Sequence, residues 1–530
     1  MGIINQHDKR TNITYVYQST SYWDKTKKQP RAHRTLIGKR DPNTNQIIPT
    51  DQRNKKHQNK TQPTTTNNNT PPPPTTMNRK FYGATHLLDQ ITQKLNIEQD
   101  LQTTFPQTYK QILSIAYYLT LEDNSPLYRF EKWNQLHKHP YQNNISSQRS
   151  SEIFASITEN AKNMFLKQFA TRHAKKECWL YDTTSISSYS ETLKQVQWGK
   201  NKEHDNLPQI NLALAYGEDT NLPFYYRKLA GNIVDVSTVK RLLTDFKALG
   251  FEDVKLVLDR GFYSRANVDL LIKDKVEFLV SLKMSLGFVR EALDRVYDTV
   301  SGFENYSEQY ELYSLTVPVD WGVVGGVSDS RVFLHLFYDV ERAAEDKKAF
   351  DRRLAVMRSE LLSGKRKQEH VAGYEKYFTV KESADGGGVV VVVNEVAVGV
   401  VKRYFGFFAL LSSGDLGFVG ALELYRNRDL VEKAFGNVED RLNLRRALVS
   451  SEAGLDGKLF VCYVGLIYLS YIKKHMQTAG LFKDYTMQGL IDRLDVIECF
   501  EYPDQVLKVG EMTEKQKQLY KALDITPPQT

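Results

Sequence analysis

The sequence predicts an α/β protein built on a mixed sheet. Three apolar segments of strand type follow one another, Cys178 to Ile186, Gln209 to Ala215 and Pro223 to Leu229. After them, helical and strand periodicities alternate, and that order indicates an α/β unit. The chain has 530 residues, of which 41% are hydrophobic and 11% aromatic. A chain of this length exceeds one ordinary core, so we expect several structural units.

The first 80 residues predict a small β unit followed by a linker. Residues 1–50 contain two Tyr-, Thr- and Ile-rich stretches between Asn12 and Ile37, separated by Asp24-Lys25, which predict two strands and a basic turn. Residues 51–80 have no apolar residue before Met77, and Pro71 to Pro74 favour polyproline conformation. We therefore expect a disordered, low-complexity linker there.

Positive charge is concentrated in the same region. Met1 to Lys80 holds 15 Lys and Arg against 4 Asp and Glu, whereas the rest of the chain holds 56 against 59. A basic arm on a nearly neutral body favours contacts with the phosphates of double-stranded DNA. A tail that only aids solubility is the alternative.

Residues 81–175 predict a helical region. Apolar side chains recur at helical spacing in two stretches: Leu87, Leu88, Ile91 and Leu95, then Ile112, Ile115, Ala116 and Leu119. A basic, Ser-rich connection lies between Trp133 and Ile157, and its His137, Lys138 and Arg149 would suit DNA phosphates. A plain helical packing domain explains the same pattern equally well.

Residues 176–284 would form the first part of the α/β core. After the three strands we expect, in order, a helix at Ser237–Leu249, a strand at Val254–Leu258, a turn at Asp259-Arg260-Gly261, a helix at Ser264–Lys273 and a strand at Glu277–Leu282. Residues 285–404 then predict a β-rich insertion, with strands at Tyr310–Val317, Arg331–Tyr338, Tyr374–Val380 and Gly388–Val401 and one charged helix at Glu341–Leu362.

Residues 405–480 would return to the core through a strand at Phe405–Leu411 and one long helix from about Arg426. On such a helix Tyr425, Arg428, Glu432 and Glu439 are 3, 4 and 7 residues apart, so they share one face. A solvated face with i,i+4 ion pairs is the alternative. The apolar run Leu459 to Ile472 is too short to span a bilayer and predicts a buried helix, so we expect no membrane partner. Residues 481–530 predict a helical tail.

Three carboxylates form the candidate site. Asp182 lies in the first strand, Asp259 ends a later buried strand and Glu432 lies on the long helix. Carboxylates near strand ends point into the crevice where α/β sheets place their chemistry, and three together repel one another unless cations bind between them. Oxygen ligands of this kind suit two Mg²⁺ or Mn²⁺ ions, which can support phosphodiester cleavage. An Asx turn at Asp182 and an ordinary turn at Asp259 are the alternatives.

Several motifs together resemble one known family. YDTTSISSYS, LVLDRGFYS and LYRNRDLVEKAF, in this order and spacing, are similar to the DDE transposases of bacterial insertion sequences, in particular the group with a Tyr–Arg–Glu–Lys signature. The resemblance implies an RNase H-like catalytic fold with a β-rich insertion, and metal ligation by Asp182, Asp259 and Glu432. It also implies that Tyr425 and Arg428 contact DNA. The further candidate DNA contacts are Arg260, position 439 and Arg446.

The resemblance further implies an enzyme that cuts at terminal inverted repeats and joins 3′ ends to target DNA, as a homodimer on DNA. The signature lysine falls at position 439, where this chain has Glu439. This departure keeps two alternatives open, a catalytically impaired copy that represses transposition and an RNase H-like nuclease. The N-terminal sequence MGIINQHDKR predicts no secretory signal, and three widely separated cysteines suit a reducing bacterial cytoplasm.

Overall fold

The computed structural model divides into two compact units, residues 1–74 and 75–530. It describes residues 2–8, 13–24, 29–41, 46–48, 77–174, 176–200, 207–251, 253–322, 331–382, 389–444, 446, 449–502 and 507–529. The predicted linker at 51–80 therefore lies outside the described residues up to residue 76. Its last part is not linker, because Asn78–Phe81 forms a strand.

The N-terminal unit is an antiparallel sheet. Its strands are β1 (Gly2–Asp8), β2 (Ile13–Asp24), β3 (Gln29–Arg40) and β4 (Ile47–Ile48), paired in that order. The two predicted strands correspond to β2 and β3, and the structure adds one strand on each side. Gly38 is required in β3, since a Cβ there would lie 2.4 Å from the Ile48 carbonyl oxygen of β4.

A helical layer follows in the second unit, as the sequence predicts for residues 81–175. It begins with strand β5 (Asn78–Phe81) and contains α1 (Gly83–Lys94), α2 (Ile97–Thr104), α3 (Tyr109–Leu121), α4 (Phe130–Leu136), α5 (Ser147–Ser156) and α6 (Glu159–His173). Ser146 and Thr158 cap the N-termini of α5 and α6. Their side chains accept hydrogen bonds from the backbone N–H groups of Arg149 and Ala161, respectively.

Two of the three candidate DNA contacts in this layer, His137 and Lys138, are paired within the protein fold. His137 is buried and its Nε2 lies 3.0 Å from the Asp495 carboxylate, while Lys138 pairs with Glu501 at 2.5 Å. Arg149 pairs with Glu152 at 3.1 Å on the surface of α5. Helical packing therefore accounts for the first two residues without DNA.

The centre of the second unit is a nine-stranded mixed sheet, with helices α7 (Asp235–Leu249) and α8 (Arg265–Lys273) in its connections. Its strands are β6 (Cys178–Ser187), β7 (Gln209–Gly217), β8 (Pro223–Ala230), β9 (Lys255–Leu258), β10 (Glu277–Leu282), β11 (Tyr306–Ser307), β12 (Leu312–Asp320), β13 (Arg331–Tyr338) and β16 (Phe407–Ser412). They are ordered β11-β12-β13-β16-β10-β9-β6-β7-β8. Strand β9 is parallel to both β6 and β10, whereas the other pairs are antiparallel. The predicted strands and helices of the first core segment are confirmed.

The region predicted as a β-rich insertion is mainly helical. Its first strands, β11 to β13, belong to the central sheet, because β13 pairs with β16. The remainder consists of α9 (Gly287–Val300), α10 (Val340–Leu362), α11 (Val371–Tyr377), α12 (Glu395–Lys402) and the hairpin β14 (Phe378–Glu382) with β15 (Val389–Val393).

Two predicted strands in this region are wrong over much of their length. Residues 374–377 are helical in α11, and the valine-rich run Gly388 to Val401 is strand only as far as Val393. Asn394 ends the strand and caps α12, since its side chain accepts from the Ala397 N–H. Valine favours strands, but the local cap and a small separate core containing Phe350, Met357 and Val398 favour the helix.

The longest helix, α15 (Glu452–Thr478), contains the run Leu459 to Ile472 and is buried, as predicted. It is long and apolar enough to cross a membrane, but 94% of its apolar window lies inside the fold. At Gly457 it approaches α5 so closely that a Cβ would lie 2.1 Å from the Phe154 carbonyl oxygen. We therefore interpret α15 as the core helix on which the helical layer packs.

The C-terminal tail is helical in α16 (Met487–Asp495) and α17 (Glu514–Ala522), as predicted, but it also contains strands β17 (Glu498–Glu501) and β18 (Lys508–Val509). Strand β17 pairs with β5, so a three-stranded sheet joins the beginning and the end of the second unit. The Tyr520 hydroxyl reinforces this closure by donating to the Gly83 carbonyl at 2.8 Å.

The contact between α5 and α15 gives the first testable prediction. Gly457→Ala forces the two backbones apart, and we expect it to lower the free energy of unfolding by about 1–3 kcal/mol, as overpacking does in other cores. Urea unfolding followed by circular dichroism measures the change. Gly399→Ala in α12 is the control, because a Cβ there meets nothing within 4 Å. Equal midpoints for the two variants would contradict the proposed close packing.

Candidate active site

Two of the candidate carboxylates lie side by side on adjacent parallel strands. Tyr181 of β6 pairs with Leu258 of β9, so the next residues along the two strands, Asp182 and Asp259, are neighbours. Asp182 is buried, and its Oδ1 accepts from the Thr183 N–H at 2.7 Å. The register of β6 and β9 therefore brings together two anionic side chains that are far apart in the sequence.

The third carboxylate lies on a helical segment above the sheet, but the predicted single helix from about Arg426 to Ser450 is wrong. The segment consists of α13 (Gly417–Arg426), α14 (Asp429–Gly436) and a π-helical turn at Asn437–Arg441. Asn427 fixes the break between α13 and α14, because its side chain donates to the Glu218 carboxylate at the end of β7, at 2.5 Å. Val431, Ala434 and Val438 are buried and hold the segment down. Glu432, with about half of its side chain exposed, faces the site.

Arg428 lies at this break and reaches all three carboxylates. Its Nη2 is 2.6 Å from Glu432 Oε1, and its Nη1 is 3.4 Å from Asp182 Oδ2 and 4.0 Å from Asp259 Oδ2. Burial opposes the charge of Arg428, but the surrounding anions, led by Asp259, raise its pKa above the ordinary value. The guanidinium therefore remains charged and offsets part of the repulsion among the carboxylates.

Tyr425 completes the group. Its hydroxyl donates to Asp259 Oδ1 at 3.0 Å, and its ring lies beneath the Arg428 guanidinium, 5.5 Å from centroid to Cζ. Burial raises the pKa of Tyr425, with the Asp259 carboxylate acting in the same direction. The phenol therefore stays protonated and available as a donor. The predicted grouping of Tyr425, Arg428 and Glu432 with the two aspartates matches this geometry.

Glu439 also faces strand β6. Its Oε1 accepts from the Thr184 hydroxyl at 2.7 Å, and Thr184 lies two residues beyond Asp182 on the same face of the strand. The carboxylate thus ties the π-helical turn to the strand that holds Asp182. The sequence analysis did not identify Thr184, although its position in the YDTTS motif next to Asp182 was a usable signal.

The two other candidate DNA contacts take different positions. Arg260 directly follows Asp259 and is exposed at the rim of the site. Arg446 does not continue the helical face, because the helical segment ends at Arg441 and the backbone of Arg446 forms a bridge with Ser187 at the far end of β6. Ser187 is five positions beyond Asp182 along the strand, about 17 Å at the usual rise. A single helix continued from Glu432 would place Arg446, 14 residues further on, on the same face, and that expectation is wrong.

Asp235, which is not among the residues predicted for the site, lies against the chain segments that carry both aspartates. Its Oδ1 accepts from the Thr183 hydroxyl at 2.5 Å, and its Oδ2 lies 3.1 Å from the position that a Cβ of Gly261 would occupy. Thr183 follows Asp182, and Gly261 lies two residues beyond Asp259. The first residue of α7 thus abuts both chain segments that carry the aspartates.

The three carboxylates have the chemistry of ligands for a divalent metal ion. Asp182, Asp259 and Glu432 offer the carboxylate oxygens that Mg²⁺ and Mn²⁺ prefer, and they surround one positive charge, the Arg428 guanidinium. Within the described ranges, no group of three or more His, Cys, Asp and Glu side chains is arranged to hold a metal ion. In this structure the three carboxylates share the Arg428 guanidinium as their cation.

Comparison with models of protein families then shows which family the chain belongs to. A model described as "Transposase DDE domain" matches residues 173–467, which include the three carboxylates and more than half of the chain. The chain belongs to the DDE transposase family. It is accordingly a DNA transposase, and the mixed α/β fold with its large mixed sheet is consistent with a transposase catalytic domain.

Two further comparisons add little. Among curated proteins there is no match. Among solved structures, the transposase is similar to the piggyBac transposase in a cryo-EM synaptic complex with hairpin DNA. The identity is 10%, the alignment covers 78% of this chain and 76% of that chain, and the TM-score is 0.37. A similarity at this level carries no argument about the site.

The contact of Glu439 with Thr184 gives a prediction about stability. Glu439→Lys removes the acceptor of the Thr184 hydroxyl, and we expect a loss of about 1 kcal/mol in the free energy of unfolding, the usual size for one hydrogen bond. Glu439→Gln keeps an acceptor oxygen at that position and should stay near the natural protein. Urea unfolding compares the three proteins. If Lys and Gln variants unfold at the same midpoint, the contact does not stabilise the π-helical turn.

Proposed function

We propose that this transposase cuts DNA at the terminal inverted repeats of a bacterial insertion sequence and joins the 3′ ends to target DNA. The observation that carries the proposal is the convergence of Asp182, Asp259 and Glu432 around Arg428, inside the segment that the family model matches. The LYRNRDLVEKAF motif, with Tyr425 and Arg428 at the same site, favours the group with the Tyr–Arg–Glu–Lys signature.

We further propose that the catalytic core is RNase H-like. The strand order β8-β7-β6-β9-β10 supports this assignment. In it β6, β9 and β10 are parallel to one another, whereas β7 is antiparallel to both of its neighbours, β6 and β8. Asp182 lies in the central strand of that group and Asp259 at the end of its parallel neighbour. Both positions suit a crevice at the strand ends.

In this proposal Asp182, Asp259 and Glu432 hold Mg²⁺ or Mn²⁺. Two such ions would stabilise the attacking and leaving oxygens of phosphoryl transfer. The chemistry consists of two in-line displacements. First, water attacks the phosphorus at the end of the element, and the 3′ oxygen leaves as a hydroxyl. That hydroxyl then attacks a target phosphodiester, and the target strand leaves with its own 3′ oxygen.

The other residues at the site would hold the DNA. Arg428 and Arg260 supply positive charge beside the carboxylates, and Tyr425 offers a ring and a hydroxyl. Arg446, near the far end of β6, would contact a phosphate farther along the same duplex. Since two ends must be cut together, we propose a homodimer on DNA, acting on the nucleoid in the bacterial cytoplasm.

Glu439 favours a second candidate, a catalytically impaired copy that binds the ends and represses transposition. A glutamate repels the phosphate that the signature lysine would attract. An RNase H-like nuclease is the remaining alternative. Terminal-repeat DNA with Mg²⁺ separates the three: the transposase both nicks and joins strands, the nuclease only nicks, and the repressor only binds.

Substitution of each carboxylate tests the catalytic assignment. Asp182→Asn, Asp259→Asn and Glu432→Gln each remove one ligand charge, so we expect cleavage to fall below detection while DNA binding is largely kept. Cleavage is measured on end-labelled duplexes and binding by fluorescence anisotropy. Asp429→Asn is the control, since this exposed residue of α14 pairs with Lys433 and not with the site. Near-normal cleavage by any of the three variants would exclude that carboxylate from the site.

Deletion of the N-terminal unit tests the basic arm. The deletion should end at Pro74, because β5 begins at Asn78 and pairs with β17. Each phosphate contact contributes about 0.9 to the slope of log K against log salt, so we expect the slope to flatten by several units. Binding is measured between 50 and 200 mM salt. Over this range the affinity of such proteins for DNA falls by roughly 10³-fold or more. An unchanged slope would leave the arm as a tail that only aids solubility.

Position 439 also gives a prediction about DNA. Glu439→Lys replaces repulsion of a phosphate by attraction, and after screening by salt and solvent we expect end binding about tenfold tighter, with faster cleavage. Glu439→Gln, which only removes the charge, should give an intermediate affinity. Anisotropy with terminal-repeat and unrelated duplexes measures both. If affinity and cleavage are unaltered in the Lys variant, position 439 does not contact DNA in this transposase.

A further inference from the structure

The position of Arg428 affects the binding of a metal ion by the three carboxylates. Its guanidinium makes one short contact, 2.6 Å to Glu432, and two long ones, 3.4 Å to Asp182 and 4.0 Å to Asp259. The same three carboxylates would be the ligands of a shared metal ion. A guanidinium in contact with all three therefore opposes the binding of that ion.

Arg428 is held there mainly by charge, not by a complete set of hydrogen bonds. Its Nε is buried and has no hydrogen-bond partner among the described residues. The two Nη atoms are divided among three carboxylates and do not form a parallel pair of bonds with one of them, although a guanidinium binds carboxylate or phosphate best in that way. A DNA phosphate would offer it the geometry that the carboxylates do not.

The surrounding backbone allows Arg428 to turn without a change in the fold. The residue lies at the break between α13 and α14, and the neighbouring Asn427 is fixed by its bond to Glu218. Val431 and Ala434 keep α14 packed on the sheet. Only the Arg428 side chain has to move, and the partly exposed Glu432 marks the side on which the site is open.

We infer that Arg428 is an internal counter-ion that competes with the divalent cation for Asp182, Asp259 and Glu432, and that a DNA phosphate withdraws it from them. This inference rests on the proposed function of the carboxylates. It makes binding of metal and binding of the DNA end cooperative, because each favours the position of Arg428 that the other requires. The coupling is reciprocal by linkage, so metal tightens DNA binding by the same factor.

Binding of Mn²⁺ to the full-length protein tests this inference without relying on activity. Electron paramagnetic resonance measures free Mn²⁺ in titrations with and without a cleavage-resistant terminal-repeat duplex. For the natural protein we expect the affinity for Mn²⁺ to rise about tenfold with the duplex. Arg428→Gln, without DNA, should already bind Mn²⁺ about tenfold more tightly, since a competing unit charge beside the ligands is gone. The additional increase in the Mn²⁺ affinity of the Arg428→Gln variant on adding the duplex should be correspondingly smaller.

Two variants serve as controls. Arg426→Gln removes a positive charge two residues away, on an exposed side chain that lies over the Tyr310 ring, and should leave the Mn²⁺ affinity unchanged. Arg428→Lys keeps the charge and should stay within about threefold of the natural protein, because a charged competitor remains. Thermal melting confirms that each variant is folded.

The outcomes separate the inference from the proposed function. Equal Mn²⁺ affinity of the natural protein with and without DNA, or an equal gain in Arg428→Gln and Arg426→Gln, would overturn the counter-ion role. In that case the carboxylates would still bind metal. If Asp259→Asn leaves Mn²⁺ binding unchanged with the duplex present, the carboxylates are not the metal ligands, and the proposed function fails together with the inference.

Discussion

Mutual repulsion of three carboxylates is the constraint on which this structure depends. Asp182 and Asp259 are brought together by the register of two parallel strands, and Glu432 is brought above them by α14. Such a group is stable only next to positive charge. Arg428 supplies it, and the break between two helices, the anchor from Asn427 to Glu218 and the buried apolar face of α14 all serve to hold Arg428 in place.

Much of this could be predicted from the sequence, for reasons that lie in particular residues. The strands around Asp182 and Asp259 are short apolar runs with clear ends, so local pattern determines them. The order of three strands followed by alternating helix and strand also predicts a mixed sheet, which the structure has. Tyr425, Arg428 and Glu432 lie beside the two aspartates although the helix predicted to carry them is broken at Asn427.

The errors arise where helix caps and tertiary contacts outweigh the composition of a segment. The run Gly388 to Val401 has strand composition throughout, and only the Asn394 cap and the small separate core select a helix for its second half. The strands β12 and β13 lie in the region predicted as an insertion, because no local signal shows that β13 pairs with β16. Likewise the continuous periodicity after Glu432 predicts a regular helix and gives no sign of the π-helical turn, in which Glu439 accepts a hydrogen bond from Thr184.

The pairing of β5 with β17 joins the first strand of the second unit to a strand more than 400 residues later in the sequence. Asn78 of β5 pairs with Glu501 of β17, so β5 lacks this partner until the chain has been synthesised beyond residue 501. Contacts of such wide separation slow folding and leave hydrogen-bonding groups exposed in the meantime. A nascent or truncated transposase is therefore an unfinished fold that chaperones and proteases can recognise.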